Sequence, residues 1–381
     1  MRGDGAVVRV VHVVGKMNRG GLETFIMNVI RNTDTSQIKS DILCTIAGAG
    51  DYDADVRNLG SSVFNIGDRF QSHTGKTRFL HQYIDYIKWF KENPYDVVHI
   101  HGSHAFDNAI AVKAALDVGQ GSVISHSHTN NGVHRVLNAV GALYLRKAPI
   151  VRLACSCQAG EWLYGKPDCF EVVQNGVDVS HFSYSHEDRS RCRASLGLSE
   201  NVKVIAHTGR LVEVKNQAFL LDVLRALAND SRSEWALLLI GEGSDEGMLR
   251  EKARSLGIEN NIKFLGLCND VSPFLSAADI YAMPSLHEGL PLAAVEAQAS
   301  GLATFISGGM SPETKLLPTT KVLALDLGAG AWAQAIKSAS LCAPSEADRA
   351  QAADGVRAAG FDIEKTVERL QSIYCQEAQH K

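Results

Sequence analysis

The sequence predicts an α/β protein built from two doubly wound parallel sheets. Three observations carry that prediction. Short apolar, β-branched runs alternate with helix-length segments from residue 7 to residue 156, and the alternation starts again at residue 203. The strand runs are apolar almost throughout, as strands covered on both faces are. Between the two series, residues 175–200 are polar and rich in Ser, Glu and Arg, and the alternation lapses there.

The first series opens on residues 7–14, a β-branched strand interrupted only by Arg9 and His12. Gly15 ends it, and Asn18-Arg19-Gly20-Gly21 leads into a helix over 22–31 with Phe25, Ile26, Val29 and Ile30 on one side. Strands are expected over 41–46 and 62–66. A helix over 77–92 carries Phe79, Tyr83, Tyr86, Trp89 and Phe90, most of them core. Then come a strand over 96–101, a helix over 105–117, a strand over 122–128, a helix over 133–147 and a strand over 151–156. Arg146 and Lys147 close the 133–147 helix, where cations suit the negative end of its dipole.

The second series runs strand 203–208, helix 215–228, strand 234–240, helix 246–256, strand 262–265, helix 271–277, strand 280–283, helix 290–299 and strand 303–307. Helices over 332–341 and 346–359 follow. A last amphipathic helix turns Val367, Leu370, Ile373 and Tyr374 inward. The expected domains are 1–185 and 186–361, with 362–379 packing back on the first. No internal repeat is visible, so the likeness of the halves is architectural. In such sheets ligands bind at the carboxyl ends of the strands, and two sheets facing each other would line a central cleft with those loops.

Composition narrows the function. With 381 residues, 45% hydrophobic and 21% charged, the chain has material for two cores. A formal net charge of −4 argues against nucleic-acid binding. None of the 8 cysteines stands at Cys-x-x-Cys spacing, and Cys155 and Cys157 are separated by one residue. That spacing predicts free thiols in a reducing compartment and no zinc site. No secretory leader pattern and no run of about 18 apolar residues is found. The expected location is cytoplasmic, with peripheral contact at the inner membrane face left open through Arg78, Lys88, Arg146 and Lys147.

The chemistry concentrates in residues 284–301. A strand end passes into a loop with Glu288 and Gly289, then a helix with Pro291 expected in its first turn and Gly301 at its end. A helix start offers bare N–H groups to an anion. Glu288 before it and Glu296 two turns along cannot bind phosphate, but they can accept hydrogen bonds from sugar hydroxyls. The pattern fits a nucleotide sugar; the plainer alternative is a helix start with solvated glutamates. Gly209-Arg210 and Lys215 fall in one strand-to-helix loop, where two cations would neutralise a diphosphate without a metal. Solvated basic residues are the plainer alternative there. Gly241-Glu242-Gly243 would let a base or ribose lie against the backbone, and Gly20 and Gly21 would allow close approach to a ligand, although Gly-x-Gly-x-x-Gly is absent. Asp51 and Asp53 have Asp-x-Asp spacing but lie where nothing else supports a ligand, and are discounted as a metal site.

These motifs together resemble the retaining glycosyltransferases of family GT4, with the two-Rossmann GT-B fold. Carrying the resemblance are Gly20-Gly21-x-Glu23, Asn175-Gly176-Val177-Asp178, Gly209-Arg210-Leu211 with Lys215-Asn216, Gly241-Glu242-Gly243, Phe264-Leu265-Gly266, and above all Glu288-Gly289-Leu290-Pro291 through Glu296. They span nearly the whole chain, and the N-terminal part looks most like EpsF-like capsule and exopolysaccharide transferases. The resemblance implies that Arg210 and Lys215 bind the donor diphosphate, that the backbone at Gly289 and Leu290 caps it, and that Gly20 and Gly21 close over it. It implies Glu296 at the ribose, Glu288 at the transferred sugar, and Phe264 and Leu265 beside a base expected to be uracil. His126 and His128 alternate on one strand and so share a face. The resemblance places a sugar-facing histidine at this strand end; His128, followed by Thr129, aligns best and His126 is the alternative. Each could otherwise be a buried structural imidazole.

The implied reaction moves a sugar from a nucleotide diphosphate, expected to be UDP, to a hydroxyl of a glycan or lipid-linked sugar, with retention at the anomeric carbon and no metal or other cofactor. Other readings stay open: a UDP-sugar 2-epimerase of the same fold, or a non-catalytic nucleotide-sugar-binding partner of another transferase. The second would be expected to have lost Glu288, Arg210 or Lys215, and all three are present. A nicotinamide dehydrogenase is disfavoured by the missing glycine fingerprint.

Overall fold

The computed structural model describes residues 7–75, 77–102, 104–129, 135–229, 234–342 and 344–379. It divides into two compact units, Met1–Gly176 with Ile363–Lys381, and Val177–Asp362. The division thus falls after Gly176, ahead of the boundary expected after residue 185.

The first unit is built on seven strands: β1 (Val8–Val14), β2 (Ile38–Cys44), β3 (Val63–Asn65), β4 (Val97–Gly102), β5 (Ser122–Ser127), β6 (Val151–Ala154) and β7 (Glu171–Val172). All pairs are parallel, in the order β3-β2-β1-β4-β5-β6-β7. Helices α1 (Gly21–Asn32), α2 (Asp53–Asn58), α3 (Gly67–Ser72), α4 (Arg78–Glu92), α5 (Ala105–Asp117), α6 (Arg135–Lys147) and α7 (Cys157–Tyr164) connect them. The expected start of α6 at Val133 lies outside the described residues. Apolar side chains of the central strands pack on Tyr86, Trp89 and Phe90 of α4 and the alanine-rich face of α5, so the aromatic helix is largely core.

The second unit holds α8 (His186–Leu196), α9 (Gln217–Ala228), α10 (Glu246–Ser255), α11 (Ser272–Ala277), α12 (Leu292–Ala299), α13 (Gly328–Leu341) and α14 (Glu346–Ala358). Its strands are β8 (Lys203–Thr208), β9 (Trp235–Ile240), β10 (Ile262–Gly266), β11 (Ile280–Met283), β12 (Ala303–Ser307) and β13 (Thr320–Leu323). They form a parallel sheet in the order β10-β9-β8-β11-β12-β13.

Helix α8 explains the boundary. It lies in the polar stretch expected to be a connection, yet Ser185 caps it by accepting from the Asp188 amide at 3.1 Å. Arg193 is 1% exposed and donates to the carbonyls of Ala277, Ser199 and Val202 at 2.9, 2.6 and 2.6 Å. Arg189 pairs with Asp279 at 2.9 Å. A buried charge hydrogen-bonded to carbonyls docks this helix, and hydrophobic periodicity cannot report that. The last helix, α15 (Ile363–Gln379), belongs to the first unit. It buries Val367, Leu370, Ile373 and Tyr374, and Thr366 donates to the Gln174 carbonyl at 3.1 Å.

Candidate functional site

In the second unit, the loops after the adjacent strands β8 and β11 are joined to each other. Asn216 adopts a left-handed conformation at φ 55° and donates from Nδ2 to the Pro284 carbonyl at 3.1 Å. The Leu286 amide donates to the Val214 carbonyl at 2.8 Å. This brings Lys215 and Glu288 together: Nζ lies 2.7 Å from Oε1, with the side chains 16% and 19% exposed. A pair this shielded is a charge-assisted contact, and the ammonium has further donors for another anion. Arg210 is exposed and makes no ion pair among the described residues, while its carbonyl accepts from Gln217 Nε2 at 2.7 Å.

Helix α12 begins at Leu292, with Pro291 as its extended N-cap and not in the first turn as expected. Glu288 donates its amide to the Gly309 carbonyl, and the Gly289 carbonyl accepts from Ser311, both at 3.1 Å. The Gly289 and Leu290 amides make no hydrogen bond among the described residues. Gly289 is exposed, with nothing within 4 Å of where a Cβ would stand. Glu296 is buried on α12, and burial alone pushes its carboxyl up to about 7.

Gly241 is required by the neighbouring backbone. At φ 138° it leaves the normal region for a side chain, and a Cβ there would lie 2.2 Å from the Gly209 carbonyl oxygen. A Cβ on Gly243 would lie 2.1 Å from the Leu211 carbonyl. These glycines permit the close approach of the neighbouring loop. Phe264 and Leu265 sit half-buried on the edge strand β10, and the Arg250 guanidinium lies 4.1 Å from the Phe264 ring centre.

In the first unit, Gly20 is the extended N-cap of α1 and Gly21 its exposed first residue. A Cβ on Gly20 would meet the Glu23 carboxylate at 2.4 Å, while around Gly21 there is open space. The Asp-x-Asp pair supports this loop: Asp51 accepts from the Arg19 amide and Asp53 from the Gly50 amide, each at 3.1 Å.

Histidines converge on the same unit. Register places His12 of β1 beside His99 of β4, and His101 of β4 beside His126 of β5. Strand β5 ends at Ser127, one residue short of the expectation, so His128 lies just beyond it. His101 lies 2.9 Å from His12 and 3.0 Å from His128, nitrogen to nitrogen, and His99 lies 3.2 Å from His126. The Tyr374 hydroxyl of α15 is 2.6 Å from His99 Nδ1. Burial lowers all five, His12 to about 4 and His128 to about 3, so the rings are neutral at physiological pH. His12, His99 and His101 form one group in which one nitrogen from each ring lies within 4.8 Å of the others, and His101, His126 and His128 form another. Both could hold a metal by spacing, a possibility that cysteine counting did not raise, but their closest nitrogen pairs are at hydrogen-bond distance. The sequence offered the i, i+2 pairs; it did not offer the strand order that sets them side by side with His12 and Tyr374.

Comparison with known proteins gives these sites a setting. Residues 188–353 match the model for glycosyl transferases group 1, and residues 19–181 match that for glycosyltransferase family 4. The glycosyltransferase EpsF of Bacillus subtilis (strain 168) is 29% identical over 377 residues, covering 96% of each chain. An Escherichia coli UDP-Gal:α-D-GlcNAc-diphosphoundecaprenol α-1,3-galactosyltransferase is 27% identical over 59% of this chain and 60% of its own. Among solved structures, Anabaena HepE in complex with UDP superposes with a TM-score of 0.75 at 19% identity, over 97% of this chain and all of its own. HepE with UDP-glucose gives 0.76 at 18% identity. With two parallel-sheet Rossmann-like domains matching that architecture, and family models covering most of both, the chain belongs to the family 4, group 1 glycosyltransferases of GT-B fold.

Proposed function

We propose that this glycosyltransferase takes its sugar from a UDP-sugar and transfers it, with retention of anomeric configuration, to a hydroxyl of a glycan or lipid-linked sugar during capsule or exopolysaccharide assembly. The observation that carries the proposal is the shielded Lys215–Glu288 pair beside the unengaged amides of Gly289 and Leu290. Cation, carboxylate and bare N–H groups within one pair of joined loops suit a diphosphate bearing a sugar. The names of relatives support the donor class: HepE is described with UDP and with UDP-glucose, and the E. coli relative uses UDP-Gal.

In this scheme the acceptor oxygen bonds to the anomeric carbon while the bond from that carbon to the β-phosphate oxygen breaks. The acceptor proton passes to the departing phosphate. Lys215, Arg210 and the two amides stabilise the charge that develops there, so no metal is required. Glu288 accepts from hydroxyls of the transferred sugar and Glu296 from the ribose. Gly20 and Gly21 lie over the diphosphate, Phe264 and Leu265 beside the base, and His128, with His126 as alternative, contacts the donor sugar.

A lipid-linked acceptor fits peripheral attachment. No described helix is long and apolar enough to cross a membrane. Helix α6 exposes Val136, Val140 and Leu143 by 78%, 54% and 54%, at helical spacing that puts them on one side, with Arg146 and Lys147 at its end. That face, more than Arg78 or Lys88, is the proposed contact with the inner face of the cell membrane. The test is a donor panel scored for nucleotide release with and without acceptor lipids. A UDP-sugar epimerised with no transfer would support the epimerase alternative and overturn the proposal.

A further inference from the structure

The loop that carries Arg210 and Lys215 is backed by a buried polar relay. Its members are His207, the last residue but one of β8, and Gln217, the first residue of α9, which are 0% and 2% exposed. The regular pairing of β8 with β11 stops at Ala206 and Tyr281. One residue further on, His207 Nδ1 lies 2.9 Å from the Ala282 carbonyl. Gln217 Nε2 lies 3.2 Å from His207 Nε2 and 2.7 Å from the Arg210 carbonyl.

Each direction in this relay is fixed by its partners. A carbonyl only accepts, so His207 Nδ1 carries the hydrogen. Burial lowers the ring to about 4, and the nearby Lys215 ammonium acts in the same direction. The ring is therefore neutral at physiological pH, and its Nε2 is a lone pair. Gln217 thus faces two acceptors, and only its NH2 end satisfies both. Turning the amide over would set its oxygen against a lone pair and a carbonyl in a closed interior. The relay has one sense: Gln217 donates to Arg210 and to His207, and His207 donates to Ala282.

Its effect falls on the loop. The Arg210 carbonyl is turned inward onto Gln217, and the Leu211 amide of the same peptide donates to the Glu242 carbonyl at 2.9 Å. That peptide is held at both ends, with the Arg210 side chain left exposed. Lys215 lies close by: a Cβ on Gly209 would stand 3.4 Å from Lys215 Cε and 3.7 Å from His207 Nε2. The relay therefore grips the backbone of one cation and lies beside the stem of the other.

We propose that Gln217, oriented by His207, is a positioning residue for the donor diphosphate, holding residues 209–216 so that Arg210 and Lys215 stand in place before the nucleotide arrives. The proposal rests on the reading of this loop as the diphosphate site. Gln217 acts through the Arg210 carbonyl, and ordering long cationic side chains in advance removes a cost that binding otherwise bears.

The test is calorimetric binding of UDP and of uridine to the full chain. In Gln217→Met, which keeps the length and loses both donors, UDP should bind about tenfold more weakly while uridine binding is unchanged. In an Arg210→Ala background the same substitution should weaken UDP binding less than it does alone, because the side chain it positions is gone. Equal losses for UDP and uridine, or the full loss in both backgrounds, would overturn the proposal, since a general loosening of the unit gives those results. If Gln217→Met does not fold, the wild type decides. Long-range proton–nitrogen correlation with nitrogen-15-labelled histidine should show a neutral His207 protonated on Nδ1, and Nε2–H there would overturn the proposal. If Arg210→Ala and Lys215→Ala bind UDP as the wild type does, the diphosphate reading fails and the proposal with it. If both bind weakly while Gln217→Met binds normally, the reading stands and the proposal alone fails.

Discussion

Replacing Glu296 by Gln should stabilise the protein, and only at neutral to alkaline pH. The carboxyl is buried on α12 and raised from 4.5 to about 7 by desolvation alone. The sign follows from linkage. A carboxyl whose folded-state value is raised binds its proton more tightly when folded, so the folded state loses stability as pH climbs from 4.5 to about 7, and the loss is complete above that. The rise from 4.5 to about 7, at about 1.4 kcal/mol per pH unit, is on the order of 3 kcal/mol. Gln keeps the size and never charges, so it escapes the penalty. At about 2–4 °C per kcal/mol for a unit of this size, Tm at pH 8 should rise by roughly 6–12 °C in the variant. At pH 5 the wild type carries under about 1 kcal/mol of the penalty, and the two Tm values should nearly coincide. Thermal unfolding followed by circular dichroism at the two pH values reads both numbers. A difference of the same size at pH 5 and pH 8, or no gain at pH 8, would refute the argument that this carboxyl is held in a desolvated site. The same substitution should weaken UDP binding, because an anionic acceptor for the ribose hydroxyls is gone.

Other expected outcomes follow from the same geometry. Lys215→Ala and Glu288→Ala should each lower turnover by orders of magnitude while circular dichroism stays native; near-normal rates in both would remove the two residues from the donor site. Gly241→Ala should destabilise the second unit by about 2–4 kcal/mol in urea unfolding, since the added Cβ meets the Gly209 carbonyl in a backbone region closed to side chains. Tyr374→Phe should lower first-unit stability by about 1–3 kcal/mol, because His99 Nδ1 is left buried without its hydroxyl. Val136→Ser, Val140→Ser and Leu143→Ser combined should reduce sedimentation with anionic liposomes without changing Tm. Chelation with EDTA should leave turnover unaltered if Lys215, Arg210 and the amides neutralise the diphosphate.

Where burial made the pattern, the sequence was enough. Strands β8, β11 and β12 fall at the expected residues because each is buried almost throughout and mostly apolar. Strand β13 escaped, since Lys321 and Val322 are exposed at the edge of the sheet. Helix α8 escaped because the buried Arg193 docks it through carbonyl hydrogen bonds, and no hydrophobic stripe reports that. In the site, the residue types were legible but their partners were not. Nothing in the spacing of Lys215 and Glu288 announces that they touch; that depends on β8 and β11 being neighbours across a crossover. The histidines show the same limit. Their i, i+2 spacing is local, while the contacts with His12 and Tyr374 depend on the order β1-β4-β5 and on the return of α15. Gly241 shows the converse: a glycine read as room for a ligand is demanded by the neighbouring backbone.

The most direct measurement is a donor panel on the purified full chain with a lipid-linked sugar as acceptor, following nucleotide release and the anomeric configuration of the product by NMR. The expected result is release of UDP from one UDP-sugar, dependent on acceptor and on Lys215 and Glu288, with the donor's configuration retained. Release of a different nucleotide, inversion at the anomeric carbon, or epimerisation of the donor without transfer would contradict it.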